Sequence, residues 1–361
     1  MALDRRDFVG RGATSLIGSI LISSEALSGE SDTEAREPLN RYRALPRISL
    51  VNLGTPLEKC DRLRVAIPGA PHLYIKRDDC LGYLVGGNKL RKLEYVMADA
   101  RGQKATTVLT VGGTTSNHAR VTAMVASRLG LKCHLILNGK DTDNPTGNLR
   151  IDRLLGVNVH LVQTRDQRNP TMDQVARDLE KKGERVYKVP LGASDQVGSF
   201  GFVAALEEIL RQEKELGIRF NTIVCSSSSG GTQAGLEVGK RLFQRRDLEI
   251  MGVSPDDSSN EIKGYVLRAA NPMLSALGLP EIKDRAELSV DDKQIGGGYR
   301  VASEQSKEAE RTFLRTEGIL LDPVYTAKAA AGLINYCRGK RFSADDHVLF
   351  WHTGGLIALF E

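Results

Sequence analysis

Residues 222–242, TIVCSSSSGGTQAGLEVGKRL, join a β-branched strand, a loop of serines and glycines, and a helix in one uninterrupted run. Glycines let backbone N–H groups approach an anion, hydroxyls add donors, and a helix N-terminus contributes partial positive charge. The run lacks the spacing of a nucleotide P-loop and the G-x-G-x-x-G of a dinucleotide site. It therefore predicts a cradle for the phosphate of a smaller cofactor. The alternative is a flexible serine turn.

From about Leu45 onward, strands alternate with helices along the rest of the chain. We predict strands at 106–111, 133–137, 157–162, 186–189, 222–225, 248–253 and 347–351, and helices at 117–129, 149–155, 172–182, 200–215 and 234–242. Alternation at these lengths is typical of the α/β class, in which helices cover both faces of parallel sheets. Ligands of such folds bind at the carboxyl ends of the strands, which is where the glycine loops of this chain fall.

The composition is typical of a globular protein. Its 361 residues are 26% charged and 41% hydrophobic, which argues against disorder and against a polytopic membrane protein. The net charge of +5 is spread along the chain and only 5% of residues are aromatic, so we expect no nucleic-acid partner. Five scattered cysteines without a C-x-x-C pair argue against both a disulfide framework and a metal site.

The first 28 residues are expected to be an export signal. Arg5, Arg6 and Phe8 resemble the twin-arginine signal, and a moderately apolar stretch at 13–22 follows them. That stretch is too short for a stable membrane anchor. We therefore expect an exported, periplasmic protein, or a cytoplasmic one if the leader is a frayed helix without export function. Residues 29–45 are polar and acidic and are expected to form a linker.

A second glycine loop, GGNKLRKLE at 86–94, contains a lysine suited to covalent chemistry. Asn88 is expected to cap a helix, which places Lys89 in the first turn. The helix dipole and burial would both lower the pKa of a lysine amine there and make it nucleophilic. The alternative is an ordinary solvated lysine.

A third loop, GGTTSNH at 112–118, again joins a strand to a helix. Ser116, Asn117 and the exposed N–H groups are suited to holding a carboxylate. His118 taken alone is more often a structural residue.

The chain carries four motifs in one order: Gly87-Asn88-Lys89-x-Arg91-Lys92-Leu93-Glu94, Ser116-Asn117-His118, Gly230-Gly231-Thr232-x-Ala234-Gly235 and Asp322-Pro323-Val324-Tyr325-Thr326. Together they resemble the D-cysteine desulfhydrase and 1-aminocyclopropane-1-carboxylate deaminase family. The resemblance covers about Pro46 to Phe360. It implies a pyridoxal 5'-phosphate enzyme of the tryptophan synthase β-like fold, fold type II, with two domains that each contain a mainly parallel sheet. The large cofactor domain would comprise 46–91 and 201–361, and the smaller inserted domain 92–200. It also suggests a homodimer.

The resemblance assigns roles to individual residues. Lys89 would hold the cofactor covalently and then move the Cα proton of the substrate. Asn117 would bind the 3'-oxygen of the cofactor ring, and Thr353 its pyridine nitrogen. The cofactor phosphate would be bound by Lys92, Ser229, Gly230, Gly231 and Thr232. The remaining residues would serve the amino-acid substrate: Ser116, Asn117 and His118 at its carboxylate, with Ser116, Tyr299 and Tyr325 as acid–base or positioning groups.

The residue after Tyr325 decides between reactions within the family. The cyclopropane deaminases carry glutamate there, whereas the desulfhydrases carry threonine, as this chain does in Thr326. We therefore predict elimination of D-cysteine to hydrogen sulfide, pyruvate and ammonia. The alternatives are 1-aminocyclopropane-1-carboxylate deaminase activity and L-cysteate sulfo-lyase activity, the latter because Arg300 could favour a sulfonate.

Two hypotheses from other classes stay open. One is a binding protein that keeps the fold without the chemistry. The other is a β-replacement synthase such as an O-acetylserine sulfhydrylase, whose usual lysine motif is rich in serine and lacks the run at 87–94.

Overall fold

A computed structural model describes residues 28–51, 54–82 and 85–360, with the backbone alone at 28–35. The predicted leader lies outside the described residues except for Ser28. The strands of the described chain are β1 (Leu57–Lys59), β2 (His72–Arg77), β3 (Thr107–Gly113), β4 (Lys132–Asn138), β5 (Asn158–Val162), β6 (Val186–Val189), β7 (Thr222–Ser226), β8 (Glu249–Val253), β9 (Ser289–Asp291) and β10 (His347–His352). Its helices are α1 (Ser28–Arg43), α2 (Asp61–Ala66), α3 (Lys89–Gly102), α4 (Asn117–Arg128), α5 (Gly147–Leu154), α6 (Arg168–Glu180), α7 (Phe200–Leu216), α8 (Gly231–Leu242), α9 (Ser259–Leu277), α10 (Glu304–Glu317) and α11 (Thr326–Arg338).

These strands form two sheets. The larger sheet has the order β1-β2-β10-β7-β8-β9, and within it only the pairing of β1 with β2 is antiparallel. The smaller sheet has the order β5-β4-β3-β6 and is parallel throughout. The predicted α/β class with mainly parallel sheets is confirmed. The strands of the smaller sheet all lie between residues 107 and 189, and the domain boundaries themselves stay a prediction.

Helices cover both faces of each sheet, so the central strands are apolar on both sides. In the larger sheet, Phe350 of β10 packs among residues of α10 and α11, while Trp351 packs against α7 and α8. In the smaller sheet, Val108 of β3 packs towards α3 and α4, while Leu109 packs towards α6.

Residues 29–43 of the expected linker (29–45) belong to helix α1 instead. Its last turn is anchored because Tyr42 is buried among residues of α9, and its hydroxyl donates to Glu207 at 3.1 Å. Leu39, Tyr42 and Leu45 recur every three residues and share that cluster. The acidic composition concealed this apolar face, so the linker prediction was wrong for this segment.

No helix in the described part of the chain is both long and apolar enough to cross a membrane. All five cysteines are free thiols, four of them buried and Cys80 exposed.

The carboxyl ends of three strands meet over one space. β3 ends before the loop at 114–116, β7 before the serines at 227–229, and β10 before 353–355. The chain thus brings these three strand-end loops together, as expected for ligand binding by a parallel sheet.

Candidate active site

The three loops line a cavity of about 1140 Å³. A volume slightly above the usual range for ligand pockets leaves room for a cofactor and a small substrate. Ten of the residues predicted for the site line it: Lys89, Ser116, Asn117, His118, Ser229, Gly230, Thr232, Tyr299, Tyr325 and Thr353. Two predicted residues, Lys92 and Gly231, lie behind this lining.

Lys89 begins α3 and faces the cavity. Burial lowers the pKa of its amine to about 8, against an opposing effect of the Asp322 carboxylate. In the described residues the amine forms no hydrogen bond or ion pair, so it is available to react. With this pKa, about a tenth of it is unprotonated at pH 7, against fewer than about one in a thousand for an ordinary lysine.

Asn88 occupies the predicted N-cap position and Lys89 the first turn, but the Asn88 side chain makes no capping hydrogen bond. Its backbone is already helical, and its Nδ2 instead donates to Thr232 Oγ1 at 3.2 Å. Its backbone N–H donates to the carbonyl oxygen of Thr353 at 3.0 Å. Asn88 therefore ties the lysine helix both to the serine–glycine loop and to the loop after β10.

Gly87 makes this approach sterically possible. A Cβ at this position would lie 2.4 Å from the Thr353 carbonyl oxygen, and its φ of +60° is one that other residues rarely adopt. The glycine thus allows the Lys89 loop and the Thr353 loop to touch.

The serine–glycine loop forms a tight backbone turn into α8. Gly230 has a φ of +79°, and a Cβ there would lie 2.7 Å from the backbone nitrogen of Val266. A Cβ at Gly231 would lie 2.6 Å from Ser194 Oγ. The hydroxyls of Ser226 and Ser227 are buried, and neither has a hydrogen-bond partner among the described residues. The loop therefore holds donors without acceptors at the N-terminus of a helix, which suits a phosphate.

Lys92 is buried behind this loop. Its Nζ donates to Ser194 Oγ at 2.8 Å and to the Gly192 carbonyl at 3.3 Å, and Ser194 Oγ lies 2.7 Å from Ser229 Oγ. Burial and the nearby Lys89 charge lower its pKa. Lys92 thus reaches the phosphate loop through Ser194.

The start of α4 presents donors to the cavity. Ser116 caps the helix, its Oγ accepting from the Ala119 N–H at 3.1 Å. Asn117 Oδ1 accepts from Asn148 Nδ2 at 3.3 Å, and Asn148 Nδ2 also donates to the Thr115 carbonyl at 3.0 Å. Because its oxygen is directed to Asn148, Asn117 keeps its NH2 group for a ligand.

The His118 imidazole is turned into the protein. Its Nε2 lies 2.8 Å from Thr110 Oγ1, and that hydroxyl donates to the Val189 carbonyl at 2.9 Å. Nε2 must therefore be the donor to Thr110. Burial lowers the pKa of His118 and keeps the ring neutral. The ring is structural, and the first-turn backbone N–H is what His118 offers to a substrate carboxylate.

Tyr299 and Tyr325 face each other across the cavity wall, with hydroxyl oxygens 2.7 Å apart. Burial raises the pKa of both, so both are neutral proton donors at physiological pH. The predicted pair is brought together.

Most of the chain matches one protein family. Residues 48–354 match the family model described as pyridoxal-phosphate dependent enzyme. The chain belongs to this family. Its cofactor is pyridoxal phosphate.

Among the relatives of this chain are two D-cysteine desulfhydrases. The chain is 38% identical over 328 residues to a D-cysteine desulfhydrase of Salmonella paratyphi A, and 37% identical over 328 residues to that of Salmonella typhi. Each alignment covers 90% of this chain and 98% of the relative.

Solved structures agree on the fold. An ACC deaminase homologue matches with a TM-score of 0.82 and 31% identity, covering 90% of this chain and 96% of the other. The processed form of threonine deaminase isoform 2 from Solanum lycopersicum matches with a TM-score of 0.62 and 20% identity, covering 90% and 85%. The predicted fold type II architecture is confirmed.

The residues fit the cofactor of the pyridoxal-phosphate dependent enzymes. The unpartnered Lys89 amine and the serine hydroxyls that lack partners among the described residues border the same cavity. Lys89 would hold the cofactor covalently, the loop at 226–232 its phosphate, the Asn117 amide its ring oxygen, and Thr353 its ring nitrogen.

Sequence reasoning missed Lys328, which supports one of the two tyrosines. This buried ammonium on α11 donates to the carbonyls of Pro255, Ile295 and Gly298 at 2.7–2.9 Å and so fixes the loop that carries Tyr299. No motif includes it. A lysine on the buried face of an apolar helix was the available signal.

Thr326, which selected the predicted reaction, does not line the cavity. Its Oγ1 donates to Asp322 Oδ1 at 2.7 Å, and the carboxylate of Asp322 also accepts from the N–H groups of Val324 and Tyr325 at 3.0 and 2.9 Å. Thr326 therefore shapes the turn that presents Tyr325.

Proposed function

We propose that this protein is a carbon–sulfur lyase that converts D-cysteine and water to hydrogen sulfide, pyruvate and ammonia by α,β-elimination. The desulfhydrase relatives support the choice of substrate. One structural observation supports the elimination reaction: a weakly basic lysine amine and two hydrogen-bonded tyrosine hydroxyls border the same cavity. Those are the groups that removal of a Cα proton and departure of a Cβ substituent need.

Pyridoxal phosphate, when bound, supplies the electron sink that makes the Cα proton of an amino acid acidic. Lys89 takes that proton, since its pKa of about 8 lets its amine act as a base and then hold the proton as ammonium. Thr353 offers a hydroxyl to the cofactor ring nitrogen, and a hydroxyl cannot hold a full positive charge there as a carboxylate can. That choice suits elimination.

The substrate carboxylate would lie at the start of α4. There the N–H groups of Asn117 and His118 have no helical carbonyl to bind, and the helix dipole favours an anion. The Ser116 hydroxyl adds a donor, because its oxygen accepts from Ala119 while its hydrogen stays available.

The tyrosine pair would donate a proton to the departing sulfur. As the Cβ–S bond breaks, its electron pair stays on sulfur, and a neutral tyrosine hydroxyl can donate a proton to it. The 2.7 Å bond lets one tyrosine stabilise the other while the proton moves. The enamine set free hydrolyses to pyruvate and ammonia.

L-cysteate sulfo-lyase activity is the second candidate. Arg165, Arg168 and Arg300 line the cavity, and a sulfonate is an anionic substituent. Deaminase activity on the cyclopropane acid has less support, because Thr326 stands where those enzymes carry glutamate and is engaged with Asp322.

Turnover tests this proposal. The cofactor-loaded enzyme is incubated with D-cysteine, with L-cysteate and with the cyclopropane acid, and sulfide, sulfite and keto acid are measured. Equimolar sulfide and pyruvate from D-cysteine are expected. A new amino acid formed with an added nucleophile would indicate a replacement synthase instead, and no product from any substrate would indicate a binding protein.

We further propose export through the twin-arginine route to the periplasm and assembly as a homodimer. The leader motif supports the first, and the family resemblance the second. A reporter carrying residues 1–40 should be exported, and an Arg5→Lys/Arg6→Lys reporter should not. Light scattering of the purified enzyme should give twice the monomer mass.

A further inference from the structure

The cavity carries positive charge to which the D-cysteine mechanism above gives no role. Arg165 precedes α6, Arg168 begins it, and both line the cavity on the side of the smaller sheet. The Arg165 guanidinium lies over the Tyr299 ring, 5.1 Å from its centroid. The two arginines therefore adjoin the tyrosines proposed to serve the departing sulfur.

Arg168 is held in place by a neutral partner. Its Nε donates to Asn138 Oδ1 at 2.7 Å, and a second guanidinium nitrogen donates to the same oxygen. This contact orients the side chain without compensating its charge. A cation in the first turn of a helix is also disfavoured by the dipole, so the charge is placed at an electrostatic cost.

Nearby carboxylates do not neutralise the pair. Within the described residues, neither guanidinium is in an ion pair with a carboxylate. The cavity's aspartates are engaged elsewhere: Asp173 with Lys188, Asp195 with the Gly198 N–H, Asp256 with Ser228, and Asp257 with Tyr265. Asp256 interacts electrostatically with Arg165, but burial raises the pKa of its carboxyl group and so favours the neutral acid.

We propose that Arg165 and Arg168 form an anion subsite for the sulfur substituent on Cβ of the substrate. This rests on the proposed function and names the substrate class it serves, amino acids whose Cβ group is, or leaves as, a sulfur anion. The subsite stabilises the electron pair that remains on sulfur when the Cβ–S bond breaks. Hydrosulfide and sulfite share this chemistry, and the experiment separates them.

The test measures ligand binding to the cofactor-loaded enzyme through the shift of its visible absorption band. The ligands are D- and L-cysteate, which carry a permanent sulfonate, and D-alanine, which lacks any Cβ substituent. The variants are Arg165→Gln/Arg168→Gln, the charge-preserving Arg165→Lys/Arg168→Lys, and Arg177→Gln. Arg177 lies on the same helix outside the cavity lining, so it controls for loss of a surface charge.

The Gln double variant should bind the better cysteate enantiomer at least tenfold more weakly and D-alanine within twofold of the wild type. The Lys variant should recover part of the loss, and the control should show none. Equal weakening for cysteate and D-alanine, or no weakening, would overturn the subsite. D-cysteine turnover is measured separately, on the wild type. If the wild type does not turn over D-cysteine but the Gln double variant still loses cysteate binding selectively, the proposed function is wrong and the subsite stands. Faster sulfite than sulfide release by the wild type identifies sulfite as the anion.

Discussion

The backbone N–H of Asn88 donates to the carbonyl oxygen of Thr353 at 3.0 Å and so joins the helix of the reactive lysine to the loop after β10. Gly87 permits this contact, since a Cβ there would lie 2.4 Å from the same oxygen.

Gly87→Ala should weaken cofactor binding at least tenfold and lower stability by about 2 kcal/mol, because backbone must move and a positive φ must be strained. Fluorescence titration with pyridoxal phosphate and urea unfolding measure the two effects. Gly82→Ala is the matched control, since a Cβ at Gly82 has no atom within 4 Å. Equal behaviour of the two variants would show that the contact is unimportant.

Lys89→Ala should abolish the visible absorption band of the cofactor-loaded protein, because no other amine would hold the cofactor covalently. The exposed control Lys181→Ala should stay yellow. An unchanged spectrum in Lys89→Ala would remove Lys89 from its assigned role.

The same amine predicts a pH dependence. Burial lowers the Lys89 pKa to about 8, so its reactive neutral fraction rises steeply as pH passes from 7 to 9. The rate at which the apoprotein develops its visible band should rise through a midpoint near pH 8. A midpoint near pH 10, typical of an ordinary lysine, would contradict the role of burial.

Tyr325→Phe should reduce kcat for D-cysteine elimination about 100-fold or more through loss of a general acid. Exchange of the Cα hydrogen of D-alanine with deuterium, which depends on Lys89, should persist. NMR follows the exchange, and Tyr336→Phe is the control, because Tyr336 lies outside the cavity on α11, the helix that Tyr325 precedes. Loss of exchange in Tyr325→Phe would mean that this tyrosine acts before the sulfur leaves.

Lys328→Met should release three buried carbonyls, lower stability by about 2 kcal/mol and reduce kcat/KM at least tenfold by freeing the Tyr299 loop. Lys283→Met, at an exposed position, controls for loss of charge. A loss of stability with kcat/KM unchanged would restrict Lys328 to a structural role.

Asp152 predicts a pH-dependent stability away from the site. Both of its carboxyl oxygens are buried without a hydrogen-bond partner in the part of the chain that the structure describes, and burial raises its pKa to about 7. As pH rises from about 4 to 7, the unfolded chain releases a proton that the folded chain keeps, so this residue costs stability above pH 7. Asp152→Asn should therefore gain about 2 kcal/mol at pH 8 and little at pH 4. Urea unfolding at both values measures this. The exposed control Asp143→Asn should show no such difference, and an equal effect at both pH values would refute the explanation.

The sequence was informative where local chemistry repeats a pattern. The run from Thr222 to Leu242 predicted a strand, a phosphate loop and a helix because each depends on neighbouring residues. The three-residue strands β1 and β9 are too short to show a period. Strand β2 and helices α9 to α11 were likewise not assigned.

Contacts between distant segments were beyond sequence reasoning. Lys328 donates to carbonyls 30 or more residues away. Arg165, which follows β5 of the smaller sheet, lies over the ring of Tyr299, which follows β9 of the larger sheet. The Asn88 side chain donates to Thr232 instead of capping its own helix, and only tertiary packing brings Asn88 and Thr232 together.

The place of β10 constrains when the enzyme becomes active during its synthesis. This strand lies at the centre of the larger sheet, between β2 and β7, yet it is made after all the other described strands of that sheet. The larger sheet therefore cannot close, nor the cofactor be enclosed, until β10 itself has been made.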